Sequence, residues 1–181
     1  MKSNNNNLAG SFKAITANQS TFEGIVLQEN QISEFTVWLE NKAWEKFFLN
    51  HYDWYTFPID KPSLSCSSKY CVRTKLLLDH LRGEHRFLSN IKKATELVLF
   101  AWGWSIRDNQ LLVNRWENNK NPTRLYKIGR CLKLFDLHDH YDSLIIFAKT
   151  VNATGVLSMW SRMEQQGFEI DFAEKKIIPW L

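Results

Sequence analysis

From His85 to Trp102 the apolar positions keep the most regular helical spacing in the chain. Phe87, Ile91, Ala94, Val98, Ala101 and Trp102 fall on one stripe, and Leu88, Thr95 and Leu99 widen it. Residues three and four apart share a helix face. The spacing therefore predicts a central helix over 85–102, ended by Gly103 in the left-handed cap that glycine adopts without steric cost. A second helix is expected from Glu34 to Asn50. Phe35, Trp38, Leu39 and Leu49 lie on one of its sides and Val37, Trp44 and Phe48 on the other, the mark of a helix held between layers.

The segment between these helices breaks the pattern. "HYDWYTFPIDKPS", residues 51–63, holds Tyr52, Trp54, Tyr55 and Phe57 at no regular period, and Pro58 and Pro62 bar a helix through them. Two uses suit such a stretch. Its rings can plug the end of a helical bundle, with His51 and Asp53 satisfying free backbone groups, or they can floor a peptide groove. Packing is the expected use. Trp54, Tyr55 and Trp102 are taken as the aromatic rim of any contact surface, because aromatic anchors dominate interface energetics.

Elsewhere the pattern is shorter. Residues 1–20 read as a flexible polar tail, and residues 21–181 as a single helical domain. "TFEGIVLQENQIS" reads as a short strand or extended entry, and "SLSCSSKYCV" as a serine-rich loop. "RTKLLLDHL" is a helix that breaks or bends at Gly83. "SIRDNQLLVNRWENNKN" reads as a short helix with a polar end. Asn121 and Pro122 then supply an N-cap and a first helical position for a helix carrying Leu125, Ile128, Leu132 and Phe135 on one stripe. "HDHYDSLIIFAKTV" and "VLSMWSRMEQQG" give two more helices. Alternation in "FEIDF" suggests a strand near the C-terminus. The fold class is all-α: a helical bundle around a buried central helix, with short strands near the termini.

Composition sharpens this picture in two ways. Eight Trp and twelve Phe among 181 residues imply a core built on large rings, and only seven Gly and four Pro disfavour a turn-rich β-sandwich. The net charge of +4 is mild and mixed along the chain. The absence of a leader-like apolar stretch and the odd count of three cysteines point to a cytoplasmic protein, or a nuclear one if the source is eukaryotic. "ELVLFAWGW" is too short to span a bilayer, which takes about 20 residues, so no membrane span is expected.

Three constellations carry candidate chemistry. Cys66, Cys71, His80 and His85 follow the order of a zinc site, but the middle gap is eight residues where about twelve is usual. His138, His140 and Asp142 in "LHDHYD" form a second candidate metal or acid–base group; the plainer reading makes Asp139 the N-cap of a helix. Arg124, Lys127, Arg130 and Lys133, with Arg115 and Lys120 nearby, form a basic face that suits a phosphate backbone, the alternative nucleic-acid function. The plainer reading is a solvated helix face. Cys131 sits inside a helix and is read as an inert thiol. There is no glycine-rich phosphate loop, no G-x-S-x-G and no H-E-x-x-H. No cofactor and no catalytic residue are expected, and a metal-dependent enzyme or structural zinc protein is the second alternative.

Four segments resemble, in order, the conserved domain of the opioid growth factor receptor family: "WEKFFLNHYDWYTFPID", "FLSNIKKATELVLFAWGWSIRDN", "PTRLYKIGRCLKLFDLHDHYDSLIIFAKT" and "GVLSMWSRM". The first matches an acidic-aromatic helix end and its aromatic–proline turn, and the second a long helix closed by an aromatic–glycine pair. The third matches an Arg-led helix running through a short loop into another amphipathic helix, and the fourth the closing helix. The resemblance covers about residues 35–165 and rests on packing motifs. It implies an all-helical domain that binds a peptide or protein partner without doing chemistry. It transfers no site residues.

Overall fold

The computed structural model describes residues 6–60, 71, 72, 74–117, 121–151, 153, 170, 171, 176 and 177. The fold is mostly helical, as the periodicity predicts. Helix α1 spans Asn6–Glu40, followed by two single-turn helices, α2 (Lys46–Leu49) and α3 (Asp53–Thr56). Helix α4 (Lys75–Arg82) leads into the central α5 (His85–Trp102). A short hairpin, β1 (Trp104–Ser105) and β2 (Gln110–Leu111), precedes α6 (Pro122–Leu134) and α7 (His138–Thr150). Strands β3 (Ile170–Asp171) and β4 (Lys176–Ile177) pair antiparallel, Ile170 opposite Ile177. The expected helix over "VLSMWSRMEQQG" lies outside the described residues.

Helix α5 is the element around which the others gather. Its expected stripe is buried throughout: Ile91, Ala94, Val98, Ala101 and Trp102 are fully enclosed, and Thr95 and Leu99 join them. Thr95 turns its hydroxyl back onto the Ile91 carbonyl at 2.8 Å, which satisfies a polar group in an apolar setting. Gly103 closes the helix at φ 97°, and its N–H reaches the Leu99 and Phe100 carbonyls. A Cβ there would collide with the Val113 carbonyl.

Helix α1 lies along α5 more extensively than any other neighbour. The strand or extended entry expected over residues 21–33 is instead part of this helix, as are residues 6–20 of the expected tail; residues 1–5 lie outside the described residues. The reason is visible in the buried face. Ile25, Gln28, Gln31, Phe35 and Trp38 recur at helical spacing and are all buried, but two of the five are glutamine. A hydropathy pattern does not register those two as core. Their amides find local partners: Gln28 donates to the Thr56 carbonyl at 3.3 Å, and Gln31 donates to Glu34 at 3.0 Å and accepts from the Tyr55 hydroxyl at 2.8 Å.

The helix expected over 34–50 ends at Glu40 and restarts at Lys46. Lys42 takes a left-handed conformation (φ 54°). The Ala43 N–H then bonds the Trp38 carbonyl at 2.8 Å and the Lys42 N–H bonds the Leu39 carbonyl at 3.0 Å. This pair is a Schellman cap made without glycine. Asp136 repeats the device between α6 and α7 with φ 56°, where Leu137 and Asp136 donate to Leu132 and Lys133. Residues 105–117, expected as a helix, instead form the β1–β2 hairpin and an extended return. Asp108 and Asn109 make its turn: Asn109 has φ 48°, and the Ser105 hydroxyl bonds both the Asp108 amide and its carboxylate. Short polar residues that tolerate left-handed φ favour such a turn over a helix.

Capping elsewhere follows the sequence. Asn121 accepts from the Arg124 N–H at 3.0 Å with Pro122 opening α6, and Thr74 accepts from Leu77 at the start of α4. Helix α7 starts at His138 with Leu137 in the cap position and no side-chain cap, so Asp139 lies in the first turn and is not the N-cap. A carboxylate there still favours the helix dipole.

Candidate functional site

The aromatic stretch at residues 51–60 is a packed corner. Phe35, Trp38, Phe47 and Tyr52 form one ring cluster, with Phe35 and Tyr52 edge-to-face at 4.7 Å and Trp38 and Phe47 edge-to-face at 5.3 Å. Tyr52, Phe57 and Ile59 are buried, and the Tyr52 hydroxyl donates to the Phe47 carbonyl at 2.7 Å. The backbone of this corner is tied down from far along the chain. Arg124 lays its guanidinium over the Tyr52 ring, 4.4 Å from the centroid, and donates to the Phe47 carbonyl at 2.7 Å and the Asn50 carbonyl at 2.6 Å.

This contact changes the meaning of the basic face on α6. Arg124 and Lys127 are buried at 3% and 8% exposure. Arg130 grips the carboxylate of Asp60, itself fully buried, through both Nε (3.0 Å) and Nη2. Lys133 is exposed and lies 5.9 Å above the Tyr141 ring. Three of the four cations expected to track a phosphate backbone therefore face into the protein. Of the two cations near them, Arg115 is half-buried and sits 3.9 Å over Trp44, where burial lowers its pKa; Lys120 lies outside the described residues.

The aromatic rim divides in the same way. Trp102 is fully buried, stacked on Phe48 at 6.0 Å and Phe147 at 5.9 Å and tilted against Trp116 at 4.8 Å. It belongs to the core and not to a contact surface. Tyr55 is half-buried and held by Gln31. Trp54 stands in α3, and its side chain lies outside the described residues.

Among the described residues the metal candidates do not converge. Cys71 is buried while His80 and His85 are exposed on α4 and α5, and Cys66 lies outside the described residues. His138 and Asp142 are exposed on α7, whereas half-buried His140 turns toward α5, its Nε2 3.4 Å from Glu96 Oε1. Among the described residues, no three His, Cys, Asp or Glu side chains are grouped to hold a metal ion. Cys131 is enclosed in the core, where burial and, after it, the charge of Asp60 push its thiol pKa well above the usual range.

One surface concavity combines apolar and charged groups. It is an open depression of about 480 Å³ between the C-terminal half of α5 and the β1–β2 hairpin, lined by Lys93, Glu96, Leu97, Phe100, Trp104, Ser105, Ile106 and Arg107. Trp104 lies beneath it: it is 1% exposed and its indole N–H donates to the Ser143 hydroxyl on α7 at 3.0 Å. Phe100 projects from α5 with 46% of its surface exposed. Lys93, Glu96, Leu97 and Phe100 are spaced three, four and seven apart, so one helix face presents them together. Glu96 is bracketed by Lys93 at 3.7 Å and His140 at 3.4 Å. Phe100, a large ring beside Leu97 on a face otherwise carrying Lys93 and Glu96, is the one mark this face leaves in the sequence.

The chain matches no protein-family model, no curated protein and no solved structure. Among the described residues no helix is long and apolar enough to cross a membrane.

Proposed function

We propose that this chain is a non-catalytic helical module that binds a peptide segment of a protein partner, and that the α5–hairpin depression is its contact site. The observation that carries the reading is the half-exposed Phe100 beside the half-buried Leu97 and Ile106. An exposed ring next to a preformed apolar surface gives a partner an anchor with little ordering cost. Of the candidate acid–base residues, His138 and Asp142 are exposed and are not in the depression's lining, while His140 is engaged by Glu96 at its edge. The resemblance of residues 35–165 to the opioid growth factor receptor conserved domain supports a helical binding unit; it supplies no partner and no contact residues.

The test compares proteins captured from host lysate by the wild type, by Phe100→Asp and by Leu76→Asp. Leu76 on α4 is the control, exposed at 77% and distant in sequence from the depression. The expected result is a specific protein retained by the wild type and Leu76→Asp and weakened about tenfold or more by Phe100→Asp, the size of a lost interface anchor. Equal capture by all three, with helical content unchanged in each, removes the depression as the site. A wild type that captures nothing specific removes the binding function.

A further inference from the structure

The lining of the depression carries more information than its shape, and the inference drawn from it rests on the binding reading above. Its ionisable side chains are Lys93, Glu96 and Arg107. Two cations and one anion leave one positive charge. The anion is already engaged, with Lys93 at 3.7 Å on one oxygen and His140 at 3.4 Å on the other. Arg107 differs. It is exposed at the hairpin turn and makes no hydrogen bond or ion pair among the described residues. Its neighbour Asp108 is occupied by the Ser105 hydroxyl at 2.7 Å. The depression thus offers an apolar surface of Phe100, Leu97 and Ile106 with an unengaged guanidinium at its hairpin edge.

We infer that this depression selects a linear peptide segment in which a bulky apolar side chain lies next to an Asp or Glu. The apolar side chain covers Phe100, Leu97 and Ile106. The carboxylate meets Arg107, whose planar fork suits bidentate pairing with a carboxylate. A small metabolite is a poorer occupant, because small-molecule sites enclose most of their ligand's surface and this depression is open along its length. A nucleic-acid strand is also a poorer fit: the lining holds a carboxylate, and the larger set of basic side chains on α6 is mostly turned inward.

The test is selection of a random heptapeptide library on immobilised wild-type protein and on Arg107→Glu, both checked for unchanged helical content. Sequences enriched on the wild type are expected to place Asp or Glu beside Phe, Leu, Trp or Met. One such peptide, synthesised with a fluorescent label, should bind Arg107→Glu about tenfold more weakly at low salt, with the difference shrinking as salt is raised. On Arg107→Glu the enriched sequences should turn basic. Apolar peptides enriched without acidic bias, or acidic ones that bind both proteins equally, overturn the charge selection and leave the binding reading standing. No enrichment over the bare support overturns the peptide site, and the lysate capture then decides the binding reading separately.

Discussion

Arg124 and Arg130 lie six positions apart on one helix and are both spent on the protein's own interior. Arg124 binds carbonyls at the end of α2 and just beyond it, and Arg130 clamps the buried Asp60 that follows the aromatic corner. Breaking a buried ion pair leaves one charge desolvated and uncompensated, which costs about 3–5 kcal/mol. Arg130→Ala is therefore expected to lower the urea unfolding free energy by about that amount. The double variant Arg130→Met, Asp60→Leu should recover most of the loss, because it removes both charges together. A single variant as stable as the wild type would show that the pair is solvated. The sequence shows these cations at three-residue spacing on an amphipathic helix but gives no sign of what they face. Their partners, Asp60 and two backbone carbonyls, stand about seventy residues earlier in the chain. Side-chain spacing within one helix carries no information about such distant acceptors, and carbonyls are not written in the sequence at all.

The elements that were legible are those with a strong apolar stripe and a conventional stop. Helix α5 runs over the residues its periodicity predicts and ends at the predicted glycine. Gly103→Ala combines a left-handed φ with a collision against Val113, and is expected to cost about 3 kcal/mol, read as a shift of the urea midpoint. A variant within about 0.5 kcal/mol of the wild type would mean that the hairpin moves away freely, contrary to the Leu112 and Val113 amides both bonded to the Gly103 carbonyl at 2.7 and 3.2 Å. The illegible boundaries share a cause. Lys42 and Asn109 each take positive φ in place of glycine, so no Gly or Pro announces the break. The part of α1 before Glu34 escaped for the other reason, two glutamines in its buried face. The depression escaped because its residues come from two elements, one of which the sequence pattern read as helix.

For the whole molecule, Cys131 links stability to alkaline pH. Burial, and then the charge of Asp60, raise its pKa well above 9.0. Below that value the thiol holds its proton in both states. Above it the unfolded thiol ionises while the folded one does not, so folding takes up protons and stability falls as pH rises, until the folded thiol also ionises. The slope cannot exceed about 1.4 kcal/mol per pH unit for one proton. The stability advantage of the wild type over Cys131→Ala in urea is expected to shrink as pH rises from about 9 to 10.5, since lysines and tyrosines titrate alike in both. An advantage that stays constant over that range would show that the thiol is not sequestered.

The long embrace of α1 and α5 has a bearing on how the chain is handled. Their contact joins segments separated by the whole of residues 41–84. The central helix therefore waits, during folding, for the closure of a large loop before its apolar face is covered. A fragment begun at residue 35, where the family resemblance starts, would lack most of α1, the helix that lies most extensively along α5. Such a fragment would leave a greasy strip along the middle of the protein bare to water and prone to clumping.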